Sequence, residues 1–206
     1  PEKRAEVLER ALTLNPNLIN AGNWLALVYM GTNRARDALD LLNELSDRDP
    51  LYKPAFGNRV GIMAWMGMTT EARAFIDDIE PFMPDDAQIL QTRAWVDYAE
   101  GKHAAGLIRF KEALEKQPTD RVLKVGTNQG NYLLHEYDEV FDDHWSGYYS
   151  MALYQLDRTE EATLVAQRDA ANGIVGPLFR LLNQTDQSKA LIEYLEERWP
   201  SLEAFQ

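Results

Sequence analysis

The chain contains no cysteine, so it forms no disulfide and offers no thiolate for catalysis or metal binding. It also lacks any apolar run that approaches the ~18–20 residues needed to cross a bilayer. Positive charge is scarce, because 21 Lys and Arg face 33 Asp and Glu, for a net charge of −12. Nucleic-acid binding needs clustered Lys and Arg, so this balance argues against it. We therefore expect a soluble protein with no membrane insertion, in the cytoplasm by preference and in the periplasm as the alternative.

Motifs for catalysis and for cofactor binding are also lacking. The three histidines, at positions 103, 135 and 144, are scattered and belong to no metal-binding or catalytic pattern. The densest carboxylate run, from Asp138 to Asp143, has neither the glycine nor the ligand spacing of a calcium-binding loop. We interpret this run as a solvated acidic helix, with a metal site as the weaker alternative. The sequence thus predicts no catalytic residue, no metal, no cofactor and no enzyme.

Proline recurs at a fixed interval in the first part of the chain. Pro16, Pro50, Pro84 and Pro118 are each separated from the next by 34 residues. A constant period of this length is typical of proteins that stack one helix–turn–helix unit many times. The prolines define three repeats, 19–52, 53–86 and 87–120, and residues 1–18 fit as a trailing half-repeat.

Other residues recur with the same period, and each is named here by its place, from 1 to 34, within its repeat. Small or compact residues at places 8 and 20 would let the two helices of a unit approach closely: they are Ala26, Val60 and Ala94, then Ala38, Ala72 and Gly106. Apolar anchors follow place 20 at steps of four and three, on one helix face: they are Leu42, Ile76 and Phe110, then Leu45, Ile79 and Ala113. The turn at place 15 carries residues that tolerate a left-handed backbone: they are Asn33, Gly67 and Gly101.

The pattern resembles that of the tetratricopeptide repeat family, over about residues 4–120. The matching residues are Leu25, Ala26, Tyr29, Ala38, Leu42 and Pro50 in the first repeat, Phe56, Gly67, Ala72 and Pro84 in the second, and Gly101, Phe110, Ala113 and Pro118 in the third. The resemblance implies an all-α fold, a right-handed superhelical solenoid of antiparallel helix pairs. Arg59 and Arg93 stand where the family has leucine, so we expect these first helices to rotate slightly or to pack differently.

The period slips after Pro118, and residues 121–206 read as irregular, degenerate helical repeats. We expect a first helix at 121–135, paired with the acidic stretch 137–144, and then the helix pairs 148–156 with 160–171 and 178–183 with 187–199. The whole chain, 1–206, would form one repeat domain. The chain opens inside a repeat and without a methionine, so we expect a fragment of a larger protein.

The resemblance further implies that the first helix of each repeat lines a concave groove. Carried onto this chain, the expected groove residues are Asn20, Asn23, Trp24, Leu27, Asn58, Trp65, Gln88, Gln91, Trp95, Tyr98 and Tyr132. Aromatic side chains supply binding area, and amides can bond an extended backbone. Three alternatives stay open: the aromatics pack in the core, the chain's own C-terminal helices fill the groove, or a neighbouring chain fills it.

Two functions of different kinds follow from this pattern. The favoured hypothesis is a non-catalytic scaffold that binds a partner peptide or protein segment through the groove. The alternative is a regulatory or self-association repeat arm of a larger bacterial-type sensor or regulator. An uncovered N-terminal repeat face at Leu8 and Leu12 would then allow a homo-oligomer.

Overall fold

The computed structural model describes residues 2–144, 146–172 and 176–184, together with residues 189 and 193. The described part is all α, with no strand. It divides into two compact units, Pro1–Pro118 and Thr119–Gln206. The N-terminal unit holds α1 (Glu2–Leu14), α2 (Ile19–Gly31), α3 (Ala35–Arg48), α4 (Lys53–Trp65), α5 (Thr69–Ile79), α6 (Ala87–Ala99) and α7 (His103–Lys116). The C-terminal unit holds α8 (Arg121–Leu133), α9 (Tyr148–Gln155), α10 (Thr159–Ala171) and α11 (Gly176–Gln184). Of the predicted helix at 187–199, all but residues 189 and 193 lies outside the described residues.

The N-terminal unit is a stack of antiparallel helix pairs. The pairs α2–α3, α4–α5 and α6–α7 fall within the three predicted repeats, and each pair packs on the next. The compact residues at places 8 and 20 are buried, as helix approach requires. The anchors that follow them are buried too, and those of α3 and α5 join one continuous core. The repeat pattern therefore predicts the core correctly.

Glycine at place 20 of the third repeat has a specific cause. A Cβ added to Gly106 would lie 2.4 Å from the ring of Tyr98, which is far below any real carbon–carbon contact. The Tyr98 ring therefore occupies the volume that alanine fills in the other repeats, and Gly106 makes room for it.

The turns inside the helix pairs share one geometry. Asn33, Gly67 and Gly101 adopt positive φ values of 62°, 77° and 75°, which confirms the predicted left-handed turns. One residue later, a backbone amide closes each turn onto a carbonyl five residues back, at 2.8–2.9 Å. His135, 34 residues after Gly101, has φ 62° and is followed by the same bond. The period of the turns thus continues one repeat beyond the last regularly spaced proline.

The acidic stretch that follows α8 is not the predicted helix. A short 3-10 helix spans Tyr137–Glu139, and residues 140–143 run without regular structure. We call residues 137–144 the strap. At the buried place 8 of this fourth repeat, Asn128 replaces the small residue of the regular repeats. Its amide nitrogen donates to the Phe141 carbonyl at 2.7 Å, and its oxygen accepts the Phe141 amide at 3.1 Å. The prediction was wrong because this side chain binds an extended backbone where a second helix would pack.

Further contacts hold the strap on both sides of Phe141. Asn131 donates to the Glu139 carbonyl at 2.9 Å, and Arg168 of α10 forms two bonds with Asp142, at 2.6 and 2.9 Å. Val140 is buried at place 20 of the fourth repeat, the place of the compact residues in the regular repeats. Beyond the strap, α9 and α10 form the predicted pair, and α11 packs on both.

The two arginines that depart from the family pattern both contact α5, Arg59 from the helix before it and Arg93 from the helix after it. Arg59 of α4 places its guanidinium 3.8 Å from the ring centre of Phe75 in α5. Arg93 of α6 bonds Asp77 at 2.6 Å and Glu80 at 2.5 Å, at the end of α5. These contacts replace leucine packing with cation–π and ionic contacts between α5 and the first helices on either side of it.

Candidate functional site

The first helices α2, α4 and α6 form a row in which each contacts the next. Amide side chains join neighbouring members of the row. Asn58 of α4 donates to the Asn23 oxygen of α2 at 2.8 Å. Between α4 and α6, the Gln88 amide covers Gly57, where an added Cβ would lie 2.6 Å from the Gln88 nitrogen. These amides, which the sequence assigned to a groove, therefore hold the row together, and Asn23 is buried in doing so.

Two tryptophans of the row are exposed. Trp24 of α2 is 58% exposed and Trp65 of α4 is 64% exposed. Leu27 is half-buried, and Met30, one turn further along α2, is 38% exposed. α2 carries no charged residue at all. The row thus presents large apolar groups to solvent, and large apolar area on a monomer often marks a binding surface.

The aromatic residues of α6 lie deeper. The Trp95 ring stands edge-on to Phe110, with ring centres 4.8 Å apart, and is half-buried. Tyr98 is buried against the same phenylalanine at 5.3 Å. Tyr98 therefore packs in the core, which was the alternative to a place in the groove. Trp95 exposes only part of its ring.

The remaining predicted residues have varied surroundings. Asn20 is exposed and accepts a bond from the Tyr52 hydroxyl, while Gln91 is half-buried on α6. Tyr132 belongs to the C-terminal unit, where its ring lies 5.5 Å from Tyr137 and 5.7 Å from Tyr148. The structure thus brings the predicted residues of α2, α4 and α6 together on one row and places Tyr132 in another unit.

A cavity of about 480 Å³ opens beside Trp24. Its lining combines α1 with α2 and the residue that follows α2: Arg4, Trp24, Leu27, Val28, Gly31 and Thr32. We call this cavity the front pocket. Arg4 was not among the predicted site residues, because the repeat pattern singles out first-helix positions and Arg4 lies in the half-repeat. Gly31 is a first-helix position but has no side chain to offer a partner. The feature of the sequence that could have indicated this cavity is the absence of charged residues from α2.

An ionic cluster around the buried Asp97 joins α5, α6 and α7. Asp97 accepts bonds from Arg73 at 2.7 Å and from Arg109 at 2.8 Å. Arg73 also binds both oxygens of Glu100, at 3.0 and 2.7 Å. These two bonds, together with the ion pair between Glu100 and Lys102, lower the pKa of Glu100 to about 2. Every charge here is neutralised by a neighbour, so the cluster joins helices and offers no free acid or base.

The C-terminal unit has a smaller cavity of about 300 Å³ beside the strap. Its polar lining includes Tyr137, Asp138, Asp142, Tyr149 and Arg158. Asp142 is bound by Arg168, and the pKa of this carboxyl, which burial alone would raise, is lowered by those bonds. Within the described residues, no three His, Asp or Glu side chains are grouped to hold a metal ion. None of the described helices is long and apolar enough to span a membrane.

Comparison with solved structures identifies the fold. A tetratricopeptide repeat protein from Parabacteroides merdae superposes with a TM-score of 0.69 at 16% identity, over 87% of this chain and 78% of that one. A human IFIT1 dimer with PPP-AAAA superposes with a TM-score of 0.61 at 13% identity, over 96% of this chain and 51% of that one. No protein-family model matches the sequence, and no curated protein sequence matches it. At these identities the likeness shows the fold alone, and it confirms the predicted all-α, tetratricopeptide-type repeat architecture.

Proposed function

We propose that this chain is a non-catalytic scaffold that binds an extended segment of a partner protein along the row of first helices. The observation that carries the proposal is the exposure of Trp24 and Trp65, each more than half exposed, on neighbouring helices of the row. Solvent-exposed tryptophan is costly to leave in water, and it is among the residues that contribute most to binding partners.

The contact surface combines these tryptophans with polar groups. Leu27 extends the apolar area of Trp24, while Asn20 and Gln91 offer amides to an extended backbone. Asn58 and Gln88 lie beside this surface, at the contacts between neighbouring helices of the row. Asn23 and Tyr98 support the row from inside, and Tyr132 stays a prediction of the sequence.

Selection from a random, displayed peptide library tests the proposal. We expect selected peptides to lose at least tenfold in affinity on Trp65→Ala, because a buried interface tryptophan is a typical hot spot. Phe82→Ala is the matched control, since Phe82 is 69% exposed on the 3-10 helix after α5, outside the row. Equal loss in both variants, or loss only in the control, would place binding elsewhere.

A regulatory or self-association arm is the second candidate. The predicted residues Leu8 and Leu12 are half-buried. The candidate is favoured by other residues of α1, since Val7 is 68% exposed, Leu14 is 78% exposed and no residue of α1 is fully buried. Light scattering over a range of concentrations tests it: association that Leu14→Asp weakens supports this function. A monomer at every concentration contradicts it.

A further inference from the structure

The charged residues of the first helices lie away from the exposed tryptophans. α2 has no charged residue, and α4 has two, Lys53 and Arg59. Lys53, at the opposite end of α4 from Trp65, pairs with Asp86, the residue that precedes α6. The Arg59 guanidinium lies 3.8 Å from the ring centre of Phe75 in α5. One charge of α4 is therefore neutralised, and the other faces a second helix.

The two charged residues of α6 also face second helices. Arg93 bonds two carboxylates at and after the end of α5. Asp97 accepts bonds from Arg73 of α5 and Arg109 of α7. A charged side chain that binds on the row would lose its hydration without gaining an ion pair, which costs free energy. The row therefore selects an uncharged segment.

The exposed tryptophans of the row also offer hydrogen-bond donors. An indole N–H can donate but cannot accept. Within the described part of the chain, neither Trp24 nor Trp65 donates to another residue. Asn20 adds an amide N–H, since its oxygen accepts the Tyr52 hydroxyl. A partner satisfies these groups with carbonyl oxygens.

Bare backbone lies beside Trp65. Gly57, Gly61 and Trp65 follow one another at steps of four residues on α4, so they share one helix face. The Gln88 amide covers Gly57, whereas a Cβ added to Gly61 would meet no atom within 4 Å. The open surface at Gly61 thus leaves space for a compact ring of a partner to pack beside the indole.

We propose that the row binds an uncharged, proline-rich segment of a partner in the polyproline II conformation. This inference rests on the proposed function and names the chemistry of the partner. A polyproline II segment makes no internal hydrogen bond, so its carbonyls are available to the tryptophans and to Asn20. Proline-rich segments bind grooves lined by aromatic rings, and the proline nitrogen needs no acceptor.

The positions of the tryptophans set the spacing of the prolines. Trp24 is at place 6 and Trp65 at place 13 of neighbouring first helices. This offset corresponds to a rise of about 10 Å, and packed helix axes lie about 8–10 Å apart, so the two positions are roughly 13–15 Å apart. Polyproline II extends by about 3.1 Å per residue, so two prolines about four or five positions apart reach both rings.

The test uses the peptides that a random displayed library yields and that lose binding on Trp65→Ala. We expect them to share two prolines about four or five positions apart, with no charged residue between them. Replacing either proline by alanine should weaken binding at least about fivefold. Asp or Lys placed between the prolines should each weaken it at least about tenfold, because the row pairs neither sign. Affinity should change less than about twofold between about 0.05 and 0.5 M NaCl.

Gly61→Leu, which fills the space beside Trp65, should also weaken binding at least about tenfold. Ala104→Leu, at an exposed position of α7 outside the row, is the matched control and should leave binding unchanged. Circular dichroism checks that both variants keep their helices. Trp65-dependent peptides that lack the paired prolines, that need a charged residue, or that still bind Gly61→Leu with full affinity overturn this inference alone. A library without Trp65-dependent peptides contradicts the proposed function as well.

Discussion

At the scale of single residues, the carboxylates of the Arg73 cluster make the clearest contribution to stability. Glu100 receives two bonds from Arg73, and its pKa is lowered from the ordinary 4.5 to about 2. A carboxyl with a depressed pKa stabilises the folded state above its unfolded pKa, and this stabilisation is lost as the pH falls toward the folded pKa. We therefore predict that Glu100→Gln lowers the unfolding free energy by about 1 kcal/mol at pH 7.

The pH profile separates this ionic contribution from simple packing. The difference between the native chain and Glu100→Gln should be constant above about pH 5 and should shrink between pH 4.5 and 2. Urea denaturation at each pH measures it. Glu112→Gln, an exposed residue of α7 outside the cluster, is the control and should show no such convergence. A difference that persists unchanged at pH 2 would contradict the ionic explanation.

Single residues also show what the sequence could and could not predict. The burial of Ala26 and Ala72 was predictable, because close helix approach admits only compact side chains there. The roles of Asn23 and Tyr98 were not, since inward-facing and inter-helix positions adjoin on a helix of 3.6 residues per turn. A rotation of the helix by less than the angle between successive residues decides whether a side chain faces the groove or the core. The packing of the helices in the row sets that rotation.

At the scale of the helix pair, the left-handed turn residue ends each first helix. Gly67 has φ 77°, a conformation that a side chain resists. We predict that Gly67→Ala lowers the unfolding free energy by about 1 kcal/mol. Gly61→Ala, within α4 and with no atom within 4 Å of the added Cβ, should instead raise it by up to about 1 kcal/mol. Thermal or urea unfolding measures both, and changes of equal sign would contradict this assignment.

The strap is the element that the sequence misassigned. Acidic residues are compatible with a helix, so composition alone favours one, and the deciding residue, Asn128, lies in a different element. Its signal in the sequence was an asparagine at a place that holds Ala26, Val60 and Ala94 in the regular repeats. A break between residues 135 and 137 was predicted, but the left-handed backbone of His135 was not.

Removing the Asn128 side chain should release the strap. Asn128→Ala restores the compact residue of the regular repeats but leaves the Phe141 amide and carbonyl without their partner. We predict a loss of about 2–3 kcal/mol and faster hydrogen exchange at the Phe141 amide. Asn172→Ala is the matched control, because Asn172 also donates to a carbonyl, at 3.1 Å, but is exposed. Equal losses in the two variants would show that the strap does not depend on Asn128.

At the scale of the whole molecule, the two periodicities of the chain end at different points. The proline period ends at Pro118, which is also the boundary between the two compact units. The turn period continues to His135, inside the C-terminal unit. The sequence before the boundary predicted the architecture of the N-terminal unit in detail, because the same packing positions recur in each repeat. The sequence after it could not, since an irregular segment held by the side chains of Asn128, Asn131 and Arg168 stands there in place of a second helix.

Each unit has a core of its own, and this leads to the last prediction. The continuous core of the N-terminal unit consists of residues between Ala26 and Val96, and that of the C-terminal unit lies between Leu153 and Leu182. In a stack of repeats, stability is approximately a sum over units and the interfaces between neighbours. A fragment of residues 1–118 should therefore remain helical by circular dichroism and unfold in one cooperative urea transition. In the full chain, Asn128→Ala alters only the C-terminal unit, so the unfolding of the N-terminal helices should keep the midpoint of the fragment. A fragment that unfolds gradually, without a cooperative transition, would show that three repeats and a half-repeat are too few to close this core.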